Sequence, residues 1–352
     1  GSSTRSGSRS SNPEYVTARV RARRGALFGD DEYSKLVRMG PAEIARYMEE
    51  SEYEREINEL GTRHSGVDLI EYALNRNLAR HFDALLDFAE GQLYDLIARY
   101  LRKFDAWNAK TVIRGVYTDT DNEAIETDLI RAGEFDDALV ARLLESGTVE
   151  DVVTTLNDTI FGDVVDDAFE DFQESDTLVP LENAIDRAFY EQLLTELPTG
   201  EAVGLYREFL EAEIDFRNAR NALRLARSGA DIDPGGYFIE GGRLFSASEM
   251  TTLVANTDEL VTRIRESIYG DQLSEALEEL EAADSLIDFE RALESALLRY
   301  SQQLGNVHPL SISPIVAYIL MKEREVTNIR AIARGREAGL SEAAIEQELV
   351  IL

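Results

Sequence analysis

The spacing of apolar side chains along the chain repeats one theme. LIEYALNRNLARHFDALL from Leu69, LENAIDRAFYEQLLTEL from Leu181 and FERALESALLRYSQQLG from Phe289 all place apolar residues three and four apart. That is the spacing of one buried face of an α-helix. Each stretch carries an acid just inside its start, Glu71, Glu182 or Glu290, where the positive end of the helix dipole favours negative charge. Two shorter helical segments are predicted before each long one: 31–39 and 41–52, 135–146 and 148–161, 246–255 and 257–269. Pro41 stands at a favoured first helical position, and Thr148 and Asn256 are N-cap candidates. After each long helix a second is expected, over 90–115, 199–228 and 311–335. Strict alternation of apolar and polar residues is almost absent, and only 235–245 reads as a small hairpin. The pattern predicts an all-α protein built from units of two short and two long helices.

The last long helix, SISPIVAYILMKEREVTNIRAIARG, holds a polar pattern that occurs twice upstream. Glu325, Asn328, Arg330 and Arg334 have the same offsets as Asp105, Asn108, Lys110 and Arg114, and as Asp215, Asn218, Arg220 and Arg224. The three asparagines are equally spaced, which points to triplication. Three homologous helical units are therefore expected, over 12–115, 116–228 and 229–352, the last with a C-terminal extension. The Ser-rich residues 1–11 read as a disordered tail with no apolar core of a signal peptide. At about 100° per residue the acid and Asn lie on one side of the helix and the two bases on the other. These residues read as structural, making hydrogen bonds and salt bridges between helices or units. Near the start, YVTARVRARRG resembles VTNIRAIARG of the last helix. It reads as a degenerate copy, which would make the units close cyclically or bring the termini together.

Charge changes the picture more than hydropathy does. There are 68 acids and 36 bases in 352 residues, a net charge of -32, which disfavours general electrostatic attraction to nucleic acid or anionic lipid. Only Lys35, Lys103, Lys110 and Lys322 are lysine among the bases. Acid excess with lysine nearly eliminated resembles the proteins of haloarchaea, whose surface charge is screened by molar salt. There is no cysteine, so disulfides and thiol chemistry are excluded. His64, His81 and His308 have no ligand-spaced partner. The longest apolar run, 315–321, is far short of the about 20 residues a membrane helix needs.

Candidate chemistry is thin. Asp166, Asp167 and Asp171 in DTIFGDVVDDAFED look like half of the Mg²⁺-diphosphate site of an isoprenoid synthase, but no second acidic motif stands at a suitable distance. Two calcium-loop look-alikes, one at Asp119, Asp121 and Glu123 and the other at Asp231, Asp233 and Gly236, lack the ligand their twelfth position requires. No phosphate-cradling glycine loop or serine-hydrolase elbow is present. No catalytic residue, cofactor or metal ligand is expected.

MKEREVTNIRAIARGREAGLSEAAIEQELV and its two upstream echoes resemble the C subunit of archaeal A-type ATP synthases, the relative of the V-ATPase d subunit, over 12–352. The resemblance implies a non-catalytic, funnel-shaped rotor subunit of three helical domains around a pseudo-threefold axis. It implies as partners the membrane c-ring, the central shaft subunits D and F, and the stator a-subunit as a further candidate. Membrane contact would be indirect, through the ring, on the cytoplasmic face of the cell membrane. Loops around Gly40, Gly147 and Asn256 are candidates for one functional rim. The residues leave open a helical-repeat scaffold that binds other proteins and, third, the isoprenoid enzyme, and they do not give the coupling ion.

The charge imbalance carries a testable consequence. The isolated protein is expected to be compact and cooperatively folded only at high ionic strength, where screening relieves carboxylate repulsion. Circular-dichroism melts across a potassium chloride series check this, and a full cooperative transition in dilute neutral buffer would overturn it.

Overall fold

In the computed structural model, which describes residues 10–228, 233–282 and 286–351, all regular structure is helical. Residues 1–9 of the Ser-rich leader and Asp231 lie outside the described residues. The helices are α1 (Pro13–Arg24), α2 (Asp30–Leu36), α3 (Pro41–Glu49), α4 (Glu54–Leu60), α5 (Gly66–Phe88), α6 (Gly91–Leu101), α7 (Lys103–Tyr117), α8 (Asn122–Thr127), α9 (Asp137–Leu144) and α10 (Val149–Thr155). They continue as α11 (Gly162–Ser175), α12 (Val179–Thr195), α13 (Glu201–Ser228), α14 (Ala247–Leu253), α15 (Thr257–Glu266), α16 (Gly270–Ala282), α17 (Ile287–Val307), α18 (Ser313–Glu337) and α19 (Glu342–Gln347). No helix of the described residues is long and apolar enough to cross a membrane.

The chain forms two compact units. The first gathers Gly1–Thr111, Thr118–Leu144 and Ser301–Leu352, and the second Val112–Tyr117 and Glu145–Tyr300. In the first unit α18 packs against α5, α1, α2 and α3. It buries Ile315, Tyr318, Ile319, Val326 and Ile329 around most of its circumference, as a core helix must. Its chief neighbour α5 answers with Ile70, Leu74, Leu78 and Phe82. In the second unit α13 supplies Phe216, Ala219, Ala222 and Leu223 to a core completed by Leu260 and Ile264 of α15, Leu277 of α16 and Phe289 of α17. α11 and α12 pack side by side in the same unit.

Thr148 caps α10 by accepting from Asp151 N–H at 3.1 Å, and Asn256 caps α15 by accepting from Glu259 N–H at 3.2 Å. The expected short helices end early, and a further helix succeeds each second one. Ser51, Thr159 and Ser267 each donate their hydroxyl to a carbonyl three residues back and accept the N–H two residues ahead. Such a side chain competes with the helix ladder for the backbone, so α3, α10 and α15 stop short of it and α4, α11 and α16 begin beyond it. Each stretch therefore holds more helices than the two short and two long ones read from periodicity. The expected helix over 90–115 is likewise two, α6 and α7, parted at Arg102.

The hairpin expected over 235–245 does not form. A short 3₁₀ turn, Pro234–Tyr237, leads into irregular chain. The amides and carbonyls a hairpin would pair across strands go instead to side chains of α13: Ile239 to Asn218, and Arg243 and Leu244 to Asp215.

Candidate functional site

Helix α7 places Asp105, Asn108 and Arg114 along one stretch, α13 places Asp215, Asn218 and Arg224, and α18 places Glu325, Asn328 and Arg334. The three asparagines are buried and make the same pair of hydrogen bonds. Asn108 Nδ2 donates to Ile130 O at 2.7 Å while its Oδ1 accepts from Ile130 N–H at 2.8 Å. Asn218 does the same to Ile239 at 2.8 and 2.9 Å, and Asn328 to Val350 at 3.0 and 2.9 Å. A primary amide is the one uncharged side chain that can give to a backbone carbonyl and take from the N–H of the same residue. Each asparagine thus holds one residue of irregular chain, 21 or 22 positions downstream, as a neighbouring strand would.

One turn earlier on each helix the acid collects backbone N–H groups from another segment. Asp105 accepts from Glu134 N at 2.8 Å and Phe135 N at 3.0 Å. Asp215 accepts from Arg243 N at 2.8 Å, Leu244 N at 2.9 Å and the Tyr269 hydroxyl. Glu325 accepts from Phe28 N, the Tyr53 hydroxyl and Lys322 Nζ, each at 2.7 Å. Gly133 and Gly242 lie so close to Asp105 and Asp215 that a Cβ at either would overlap the carboxylate.

Burial sets the charge behaviour of these acids. It pushes Asp105 up to about 7 against the pull of its two N–H donors, and it raises Asp215 in the same direction. Tyr53 is pushed well above the ordinary tyrosine range, by burial first and the Glu325 carboxylate second. Burial pushes Lys322 down while Glu325 opposes the shift. Lys322 also lies over the Tyr53 ring, 4.4 Å from its centre.

The third element is a charge pair. Arg114 Nε donates to Glu182 at 2.7 Å, Arg224 donates to both oxygens of Glu290 at 2.6 and 2.8 Å, and Arg334 Nε donates to Glu71. Glu182 and Glu290, first-turn acids of α12 and α17, therefore have a second use, as does Glu71, which lies in the second turn of α5 because that helix starts at Gly66, earlier than expected. These arginines are about half-exposed, so each pair contributes about 0.2–1 kcal/mol at most and chiefly fixes how two helices register.

The sequence pattern missed the receiving half of the arrangement. Ile130, Ile239 and Val350 look like ordinary apolar residues, and Tyr53, Tyr269 and Phe28 stand far in sequence from the motif acids they meet. A signal for part of it was present, since Ser51–Tyr53, Thr159–Phe161 and Ser267–Tyr269 recur at equal spacing. Among the other expected positions, Asp166, Asp167 and Asp171 are exposed on α11, and the described residues contain no group of acids or histidines arranged to hold a metal. Gly40 and Asn256 stand at the starts of α3 and α15, and Gly147 directly precedes the α10 cap.

Residues 16–348 match the family model described as ATP synthase (C/AC39) subunit. The chain is similar to the C subunit of the A-type ATP synthase of Haloferax volcanii, 70% identical over 342 residues, covering 97% of this chain and 98% of that one. A counterpart from Haloquadratum walsbyi is 66% identical over 342 residues, covering 97% and 99%. One from Methanosarcina mazei is 34% identical over 353 residues, covering 97% and 94%.

The asparagine clamp and the buried acid each lead to a measurable outcome. Asn328→Leu should lower stability by about 1–3 kcal/mol, because the buried Val350 N–H loses its only acceptor and the Val350 carbonyl keeps Arg324 alone; urea denaturation checks it, and an unchanged midpoint would count against the clamp. Asp105 has a folded-state pKa of about 7, above the ordinary 3.8. Its contribution to stability is therefore fully present below the unfolded value and is lost as pH rises through about 7. Carboxyl-carbon NMR should find it titrating near neutrality, and titration in the ordinary aspartate range would contradict the assignment.

Proposed function

The chain belongs to the ATP synthase (C/AC39) subunit family, and we propose that it serves an A-type ATP synthase as a non-catalytic rotor subunit, a socket between the membrane c-ring and the shaft of subunits D and F. The observation that carries this reading is the state of the polar motif. Its carboxylates and amides are the groups that could do chemistry, and they are buried and occupied in holding irregular backbone onto helices. That is the construction of a stiff wall. An element that passes torque between two partners needs close-packed helices and broad contact, with no reacting group of its own.

The order of the partners supports three homologous units, 12–115, 116–228 and 229–352, that close cyclically. The α7 motif takes its acid partner Glu182 from the second stretch, and the α13 motif takes Glu290 from the third. The α18 motif takes Glu71 and Phe28 from the first. In this reading Asp105, Asn108, Arg114, Asp215, Asn218, Arg224, Glu325, Asn328 and Arg334 are structural residues that join one unit to the next. The segments around Gly40, Gly147 and Asn256 are each candidate contacts for a partner, because they occupy corresponding places at helix starts. The subunit would lie peripherally on the cytoplasmic side of the cell membrane and meet the membrane only through the c-ring, with the stator a-subunit as a further contact. The charge composition and the similarity to haloarchaeal relatives support a haloarchaeal source.

The test is reconstitution of the synthase without this chain. ATP hydrolysis by the soluble head should persist while its coupling to ion movement is abolished, and adding the chain back should restore coupling. Loss of hydrolysis on omission, or coupling that survives it, would overturn the socket assignment.

A further inference from the structure

Helix α1 sets four arginines, Arg19, Arg21, Arg23 and Arg24, against one acid, Glu14, in a chain whose net charge is -32. Among the described residues none of the four forms an ion pair. Arg19 donates to the Tyr15 hydroxyl at 3.2 Å and lies over the Phe88 ring, and Arg23 meets His81 Nδ1 at 2.6 Å beside the same ring. Arg21 has no partner among the described residues.

Aligned on their shared Val-Thr and Arg-Gly, α1 and α18 match position by position: Tyr15 stands where Glu325 does and Ala18 where Asn328 does. On α18 the face of Glu325 and Asn328 is buried under the chain it clamps, and so are the faces of the same motif on α7 and α13. On α1 that face is open. Val16, Thr17 and Val20 turn inward, while Tyr15, Ala18, Arg19, Arg21 and Ala22 are exposed, Tyr15 to 48%. At about 100° per residue Ala18 and Ala22 run down the middle of this face, with Arg21 on one side and Tyr15 and Arg19 on the other. The chain downstream does not return to cover it: the Met39 carbonyl accepts from Arg336 Nε of α18 at 3.2 Å.

We propose that the open face of α1, formed by Tyr15, Ala18, Arg19, Arg21 and Ala22, docks an acidic segment of another subunit of the synthase. Charge complementarity selects this occupant. The two alanines let a backbone approach closely, and a guanidinium on either side can take a carboxylate along paired bonds. In molar salt the screening length is about 3 Å, so the carboxylates must touch the arginines and a distant negative field contributes nothing. A lipid surface fits less well, because the chain as a whole is acidic and Tyr15 is the one large apolar side chain exposed on α1. The Ser-rich leader carries Arg5 and Arg9 and no acid, so it does not complement the face. The docking face requires a partner subunit and does not depend on the socket role.

The test is arginine footprinting with phenylglyoxal, on the isolated chain and on the assembled synthase in the same molar potassium chloride. Arg21 should be labelled in the isolated chain and protected about tenfold or more in the assembly; equal labelling in the two overturns the docking face. The footprint uses the wild-type chain, so no variant has to fold. A photo-crosslinking residue at position 18 then identifies the neighbour. Crosslinks to a carboxylate-rich segment of another subunit support the proposal. Crosslinks to lipid, to a second copy of this chain or to a segment without carboxylates overturn it, as does their absence. Arg21→Glu should cut the crosslink about tenfold or more while leaving the melting temperature of the isolated chain unchanged, since the side chain has no internal partner to lose. An undiminished crosslink in that variant would refute the role of the arginine.

Discussion

A polar side chain buried on a helix must find a partner for every donor and acceptor it brings inside, and an irregular backbone segment crossing a core must do the same. Here the two demands meet each other. Asn108, Asn218 and Asn328 each use both ends of the amide on the N–H and carbonyl of a single residue. The segment after each motif helix can then lie buried without joining a sheet. Removing either half strands the other, so the packing of α7, α13 and α18 against their downstream segments depends on this exchange.

The three copies solve the neighbouring problem, a buried acid, in different ways. Asp105 has two backbone N–H donors, Asp215 has two and a tyrosine hydroxyl, and Glu325 has one with Tyr53 and the ammonium of Lys322. Where the acid is aspartate, glycine stands at the point of closest approach, Gly133 or Gly242. Breaking such a buried pair by removing one partner costs more than the pair itself contributes. That asymmetry explains how one of the chain's four lysines can sit fully buried beside Glu325.

On the surface the charges obey another rule. With 68 acids against 36 bases, nearly half of the carboxylates have no cation of their own to meet, and exposed pairs contribute little. The Arg114 and Arg224 pairs matter through direction, because each guanidinium meets its carboxylate along two bonds, while Arg334 divides itself between Glu71 and Asp128. Such pairs set one long helix against the next. Stiffness gained this way suits the proposed socket role.

The sequence alone determined the helical class, the three long amphipathic helices, the recurrence of acid, asparagine and arginine at fixed offsets, and the resemblance to a rotary ATP synthase subunit. These rest on local periodicity or identity, which the chain carries residue by residue. Tertiary structure decided what the motif holds. Ile130, Ile239 and Val350 are recognised through backbone atoms, which have no side-chain signature, and Phe28 reaches Glu325 across nearly the whole chain. The stretch 235–245 shows the same limit: its residue pattern allowed a hairpin, but Asn218 and Asp215 take the hydrogen bonds a hairpin would need. Ser51, Thr159 and Ser267 divided helices that periodicity ran together, because a hydroxyl competing for backbone leaves the apolar spacing unchanged.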